Sequence, residues 1–155
     1  MIETPKIVET VALPMAFLHL TVPTSEIQKV MIPGLNEVKA AAAAQGVSEA
    51  GPWFTHHLVK PKGTFDFEIC VPVAAPIVTA GRVQAGVWPA MKVVRTVYHG
   101  DYSGLGAGWG EFEAWIAKNG YKTAEDLWER YLTGMEAGPD PANWRTELNR
   151  PLVGR

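Results

Sequence analysis

Glu129 stands in the segment LWERYL, next to Trp128 and two residues before Tyr131. A carboxylate walled by aromatic rings and left unpaired carries a large desolvation cost. A cationic or hydrogen-bond-donating ligand relieves that cost, and each ring facing a cation adds about 0.5–2 kcal/mol of cation–π attraction. Such an acid suits flat, lipophilic, often cationic molecules. Read as a strand, the segment puts Leu127, Glu129 and Tyr131 on one face and Trp128, Arg130 and Leu132 on the other. Each face carries one charge, so parity does not decide which points inward. The plainer account is an exposed strand carboxylate paired with an arginine on a neighbouring strand, because Glu is rarely buried without a partner.

Other chemistry-bearing residues give weaker signals. His56 and His57 are adjacent, so on a regular strand they point to opposite faces and cannot both grip one ion. His99 has no HExxH context and Cys70 no partner cysteine, so no metal site is expected. Nothing near Cys70 in the sequence activates it as a nucleophile, and a small semi-buried side chain is its simplest role. Gly104, Gly106, Gly108 and Gly110 fall at every second position of HGDYSGLGAGWGEFEAW. A dinucleotide fingerprint needs glycines at i, i+2 and i+5, but counting from Gly104 reaches Trp109, and from Gly106 reaches Glu111. No Gly-Lys-Ser/Thr follows either, so a nucleotide cradle is excluded and no cofactor is expected.

The elements that must position these residues can be read from the pattern. Residues 6–20 read as an extended apolar segment interrupted by Pro14. LNEVKAAAAAQG (35–46) reads as a helix, with Pro33 suited to its first turn and Gly46 to its C′ stop. WFTHHLVK (53–60) and TFDFEICVPV (64–73) form a hairpin around Pro61-Lys62-Gly63. In its second strand Phe65, Phe67, Ile69 and Val71 share one face, and Asp66, Glu68 and Cys70 the other. Residues 81–100 read as a turn leading into a strand at about 90–99, after which the glycine stretch opens a second helix. Leu105, Trp109, Phe112 and Ile116 mark its apolar stripe. Strands at 126–133 and 144–152 close the chain.

This order is strand, helix, strand, strand, repeated. FEICVPV (67–73) and TELNRPL (146–152) echo each other through Glu68/Glu147, Ile69/Leu148, Pro72/Pro151 and Val73/Leu152. The expected fold is α+β, one domain over residues 1–155 with repeat halves at about 6–73 and 81–152. Pro72 and Pro151 are expected at strand ends, and Glu68 and Glu147 in structural rather than catalytic roles.

The chain has 155 residues, 47% hydrophobic, with a formal net charge of −2 and no basic cluster. Nucleic-acid surfaces gather Lys and Arg, so DNA or RNA is not an expected direct partner. One cysteine fits a reducing compartment. With no visible signal peptide and no apolar run near the roughly 20 residues that span a bilayer, the reading is soluble and cytoplasmic. Six tryptophans are many for this length, and core packing is the simplest account of each.

TFDFEICVPV, PAMKVVRTVYHGDYSGL, WIAKNGY, LWERYL and WRTELNRPL together resemble the GyrI-like (gyrase-inhibitor-like) small-molecule-binding domains, a module that also forms the effector-binding part of many AraC-type and MerR-type regulators. The matching features are the acid-containing strand Phe67–Val73, Pro89-Ala90, His99 with Gly100 and Tyr102, Gly120-Tyr121, Glu129 with Tyr131, and Thr146-Glu147 with Pro151. Asp101 stands where regulators of this kind most often carry proline. The resemblance covers nearly the whole chain from about residue 6.

It implies two strand-helix-strand-strand halves with two main helices, forming a curved antiparallel sheet with pseudo-twofold symmetry and a ligand groove at the axis. Glu129 is then the acid at the groove's centre, and Tyr131, Trp109, Tyr102 and Trp53 are the other candidate ligand-binding residues. Two function classes follow. One is a stand-alone, multidrug-like binding protein for lipophilic or cationic small molecules. The other is a hydrolase of electrophilic natural products, such as cyclopropane-bearing ones, with Glu129 activating water and Tyr131 among the groups steadying the oxyanion. The sequence shows no helix-turn-helix part, so regulation of transcription by this chain itself is not expected; a gyrase partner is a third, weaker implication, and a separate regulator partner stays open.

Overall fold

In the computed structural model, which describes residues 1–59, 63–134 and 138–154, the chain is α+β. The elements are β1 (Lys6–Glu9), β2 (Leu13–Pro23), α1 (Ile27–Ala44), β3 (Phe54–His57), β4 (Thr64–Pro72), β5 (Gln84–Trp88), β6 (Lys92–His99), α2 (Leu105–Lys118), β7 (Lys122–Thr123), β8 (Leu127–Thr133) and β9 (Arg145–Gly154). They divide into two units, Val11–Ala90 and Met1–Thr10 with Met91–Arg155.

In the Val11–Ala90 unit the antiparallel order is β3-β4-β2-β5. Phe67, Ile69 and Val71 turn one face of β4 toward α1, as the alternation of that strand requires, and meet Leu35, Val38 and Ala42 of the helix in a fully buried cluster. Each such side chain contributes about 1.5–3 kcal/mol on burial. The helix starts earlier than its alanine run suggests. Ile27, Val30 and Met31 also pack on the core, so the apolar stripe extends N-terminally and carries Pro33 and Gly34 inside the helix. Gly34 is there for closeness: a methyl group on it would lie 2.5 Å from Cδ1 of Ile69. Gly46 takes φ +70° just beyond the C-cap Gln45, the stop expected of it.

In the other unit the order is β8-β9-β6-β1, with β7 added on β9. The four-strand pattern is the same, with β9 in the place of β4 and β8 in that of β3. Two edge strands depart from the sequence reading. β1, expected in the first repeat half, pairs with β6, and β5, within the second, pairs with β2. Most of β5 is exposed, so it carries little apolar alternation to announce it. Pro72 ends β4 as expected, but Pro151 lies inside β9, where the strand exchanges β8 for β7 as its neighbour. A missing N–H is tolerated at such a change of partner. The turn residues Pro61 and Lys62 lie outside the described residues.

Glu68 and Glu147 occupy matching positions and do matching work. The Glu68 carboxylate meets His56 Nδ1 at 2.8 Å, and Arg130 Nη2 donates to Glu147 Oε2 at 2.8 Å. Both are cross-strand pairs, on the faces turned away from the apolar stripes.

Candidate functional site

The two charges of LWERYL separate onto the two faces of β8. Arg130 faces Glu147, which also forms an ion pair with Arg95 and accepts from Asn149, while Arg95 Nε donates to Asn149 Oδ1. Glu129 lies opposite Leu148 and shares its face with the cluster of Val94, Tyr98, Phe112, Ile116 and Leu148 beneath α2. Glu129, for which the sequence also allows an exposed carboxylate paired with an arginine, lies half-buried on the helix-covered face, and the arginine-paired carboxylate is the buried Glu147.

Glu129 is half-buried and accepts two hydrogen bonds from aromatic donors. Trp109 Nε1 donates to Oε2 at 2.6 Å, and the Tyr131 hydroxyl donates to Oε1 at 2.8 Å. Among the described residues no lysine, arginine or histidine forms an ion pair with it. Both donors are neutral.

The glycine series explains how Trp109 comes to lie there. A methyl on Gly104 would sit 2.3 Å from the Tyr98 hydroxyl, and one on Gly108 would sit 2.7 Å from Tyr98 Cδ1. Those two glycines let α2 settle on the Tyr98 ring, whose hydroxyl donates to the Asp101 carbonyl at 2.7 Å. Gly106 and Gly110 meet nothing within 4 Å. The space is therefore for a neighbouring ring of the protein at two positions and open at the other two.

Tyr131 is brought to Glu129, and Tyr102 to Tyr131. Their rings meet edge to face with centroids 6.1 Å apart, and Tyr102 lies against Trp144 at 5.2 Å. Tyr131 is buried, whereas Tyr102 is 40% exposed and forms the open side of the stack. Trp144, held by its Nε1–H to the Gly138 carbonyl, joins this aromatic stack and is not among the candidates read from the sequence. Its position immediately before β9 was the available signal. Trp53 belongs to the Val11–Ala90 unit, where it packs against that unit's core.

His56 and His57 point to opposite faces, the first to Glu68 and the second stacked on Phe67 at 5.4 Å. Among the described residues no three His, Cys, Asp or Glu side chains gather to hold a metal ion. Cys70 is fully buried, and burial pushes its thiol pKa well above the ordinary value, with Glu68 adding to the shift. No helix among the described residues is long and apolar enough to cross a membrane.

A family model described as a GyrI-like small molecule binding domain matches residues 3–152. No curated protein matches the sequence. Among solved structures, the C-terminal domain of EcmrR superposes with a TM-score of 0.85 at 23% identity, over 98% of each chain. Against the longer EcmrR chain in its DNA complex the TM-score is 0.86, and this chain spans 58% of that length. SAV2435 bound to tetraphenylphosphonium gives 0.66 at 10% identity, over 98% of this chain and 95% of that one. A hydrolase from Listeria innocua gives 0.65 at 11% identity, over 96% and 91% respectively. At these identities the likeness is one of fold.

Proposed function

Because the chain belongs to the GyrI-like family of small-molecule-binding domains, we propose that it holds lipophilic aromatic cations, flat ones among them, at Glu129, between the rings of Trp109, Tyr131, Tyr102 and Trp144. One observation carries this reading: a half-buried carboxylate held by two neutral aromatic donors, with no cation paired to it among the described residues. Aromatic faces beside an uncompensated negative charge favour a large cation twice over, through Coulomb attraction and through cation–π contact. SAV2435, of the same fold, was solved with tetraphenylphosphonium bound, which fits that ligand class.

The test is a titration with tetraphenylphosphonium followed by tryptophan fluorescence. Saturable quenching with Kd in the micromolar range, about −8 kcal/mol, is expected, with most of the signal lost in Trp109→Phe. A flat titration contradicts the reading.

The Tyr131 hydroxyl, 2.8 Å from Glu129 Oε1, favours a second reading as a hydrolase of strained electrophiles. Glu129 would take a proton from water as it attacks the activated carbon, and a ring donor would hold the developing oxyanion. General-base assistance is worth about 10²–10⁴-fold. Incubation with a cyclopropane-bearing electrophile, followed by mass spectrometry, separates the two. Multiple turnovers that vanish in Glu129→Gln favour the hydrolase, and stoichiometric binding without product favours the binder. Binding stands first because an acid among aromatic rings suffices for it, whereas catalysis also needs a placed water.

A further inference from the structure

Thr146 lies on β9 between two tyrosines, opposite Tyr98 on β6 and opposite Tyr131 on β8. Its side chain therefore stands on the same face as Glu129, one rung along the sheet. The residue is fully buried, and its hydroxyl has no hydrogen-bond partner among the described residues. Neither neighbouring phenol serves it. Tyr98 donates to the Asp101 carbonyl and Tyr131 donates to Glu129.

A buried hydroxyl without a partner lowers stability, and such groups are rare enough in folded proteins to need a reason. Valine has the same branched shape, suits a strand at least as well and carries no such penalty. Packing does not explain a hydroxyl at this position. A ligand does.

We propose that Thr146 is a further binding residue of the Glu129 site, its hydroxyl donating to an oxygen acceptor carried by a cationic aromatic ligand. The proposal rests on the reading of Glu129 as the ligand's counter-charge. Diagonal neighbours on one sheet face lie about 7–8 Å apart, a span that one substituted aromatic ring bridges. An entering ring packs on Tyr131 beside Tyr102, the exposed member of the stack. Glu129 then selects for positive charge and Thr146 for a hydrogen-bond acceptor at a fixed distance from it.

The experiment compares tetraphenylphosphonium, which has no hydrogen-bonding group, with its three ring-acetylated isomers (2-, 3- and 4-acetyl). Each is titrated against wild type, Thr146→Val, Thr146→Ser and Glu129→Gln. At least one acetyl isomer is expected to lose about three- to tenfold in affinity in Thr146→Val, to keep it in Thr146→Ser, and to leave tetraphenylphosphonium itself unchanged in both. Thr146→Val is also expected to raise the unfolding midpoint of the free protein, because it removes an unpaired buried polar group. If tetraphenylphosphonium binding depends on Glu129 but no acetyl isomer responds to Thr146→Val, this inference alone falls. A lowered midpoint would likewise overturn it, since the hydroxyl would then have a partner within the fold. If wild type binds none of the four cations, the reading of Glu129 falls with it.

Discussion

Glu129 and Thr55 hold the same place in the two repeats: Glu129 lies opposite Leu148 on β9, and Thr55 lies opposite Ile69 on β4. Two residues on, Tyr131 corresponds to His57, and each ring contacts the side chain two places before it. The Tyr131 hydroxyl meets Glu129 at 2.8 Å, and Thr55 Oγ1 lies 3.3 Å from His57 Nε2. One scaffold thus carries a polar pair twice, and only one copy has the acid.

Glu129→Thr therefore copies a side chain that this scaffold already accepts. It removes the carboxylate that accepts from Trp109 Nε1 and from the Tyr131 hydroxyl, so a loss of about 1–2 kcal/mol is expected. Urea denaturation should show a cooperative transition at a modestly lower midpoint, and tetraphenylphosphonium binding should be lost. Unfolding of the variant, or full retention of binding, contradicts the assignment.

The glycines of α2 should respond to alanine with opposite signs. Gly108→Ala drives a methyl into the Tyr98 ring and should destabilise by about 1–3 kcal/mol. Gly106→Ala and Gly110→Ala meet open space and gain helix propensity, about 0.8–1 kcal/mol each. Denaturant midpoints read both signs directly. Destabilisation at all three positions would mean that the open side of the helix is not open.

Glu147 ties Arg95 and Arg130 together from a side chain that is 5% exposed. Glu147→Gln leaves two neighbouring guanidinium groups without their shared counter-charge, a loss of about 3–5 kcal/mol for a buried pair. Arg130, 30% exposed at its side chain, keeps some hydration and places the loss at the low end of that range. Equilibrium unfolding checks it, and a near-neutral result would show the pair to be solvated.

Cys70 is held as a neutral thiol by burial, and Glu68 pushes in the same direction. Native protein should resist iodoacetamide at pH 8 and become labelled only on unfolding. Its folded pKa is raised, so above the unfolded value of about 8.5 the unfolded chain gives up a proton that the folded chain keeps. Stability should therefore fall as pH rises past that point, and Cys70→Val should remove this part of the alkaline loss. Rapid labelling of the folded protein at pH 8 would contradict the burial.

Much of this was legible before any coordinates. Alternation in 64–73 gave the buried face of β4, and the Leu105, Trp109, Phe112 and Ile116 stripe gave the helix whose Trp109 reaches Glu129. Two kinds of feature were not. β5 is an exposed edge whose residues follow no apolar period, and β1 looks continuous with β2 although its partner is some 85 residues away in sequence (Ile7 opposite Val94). The face of Glu129 was the other, because LWERYL is amphipathic in neither sense and only the register against β9 decides it. Trp144 escaped for a related reason: its partner is Tyr102, which packing and not spacing brings to it.

The central claim is that Glu129 reads positive charge. N-methylacridinium and acridine present the same flat ring with and without a charge, provided that the pH keeps acridine neutral. Binding of both to wild type and to Glu129→Gln, measured by calorimetry, isolates the carboxylate's contribution. Glu129→Gln should weaken N-methylacridinium by about tenfold or more, roughly 1.4 kcal/mol, and change acridine by less than about twofold, which is within about 0.5 kcal/mol. Equal losses for the two compounds would contradict it.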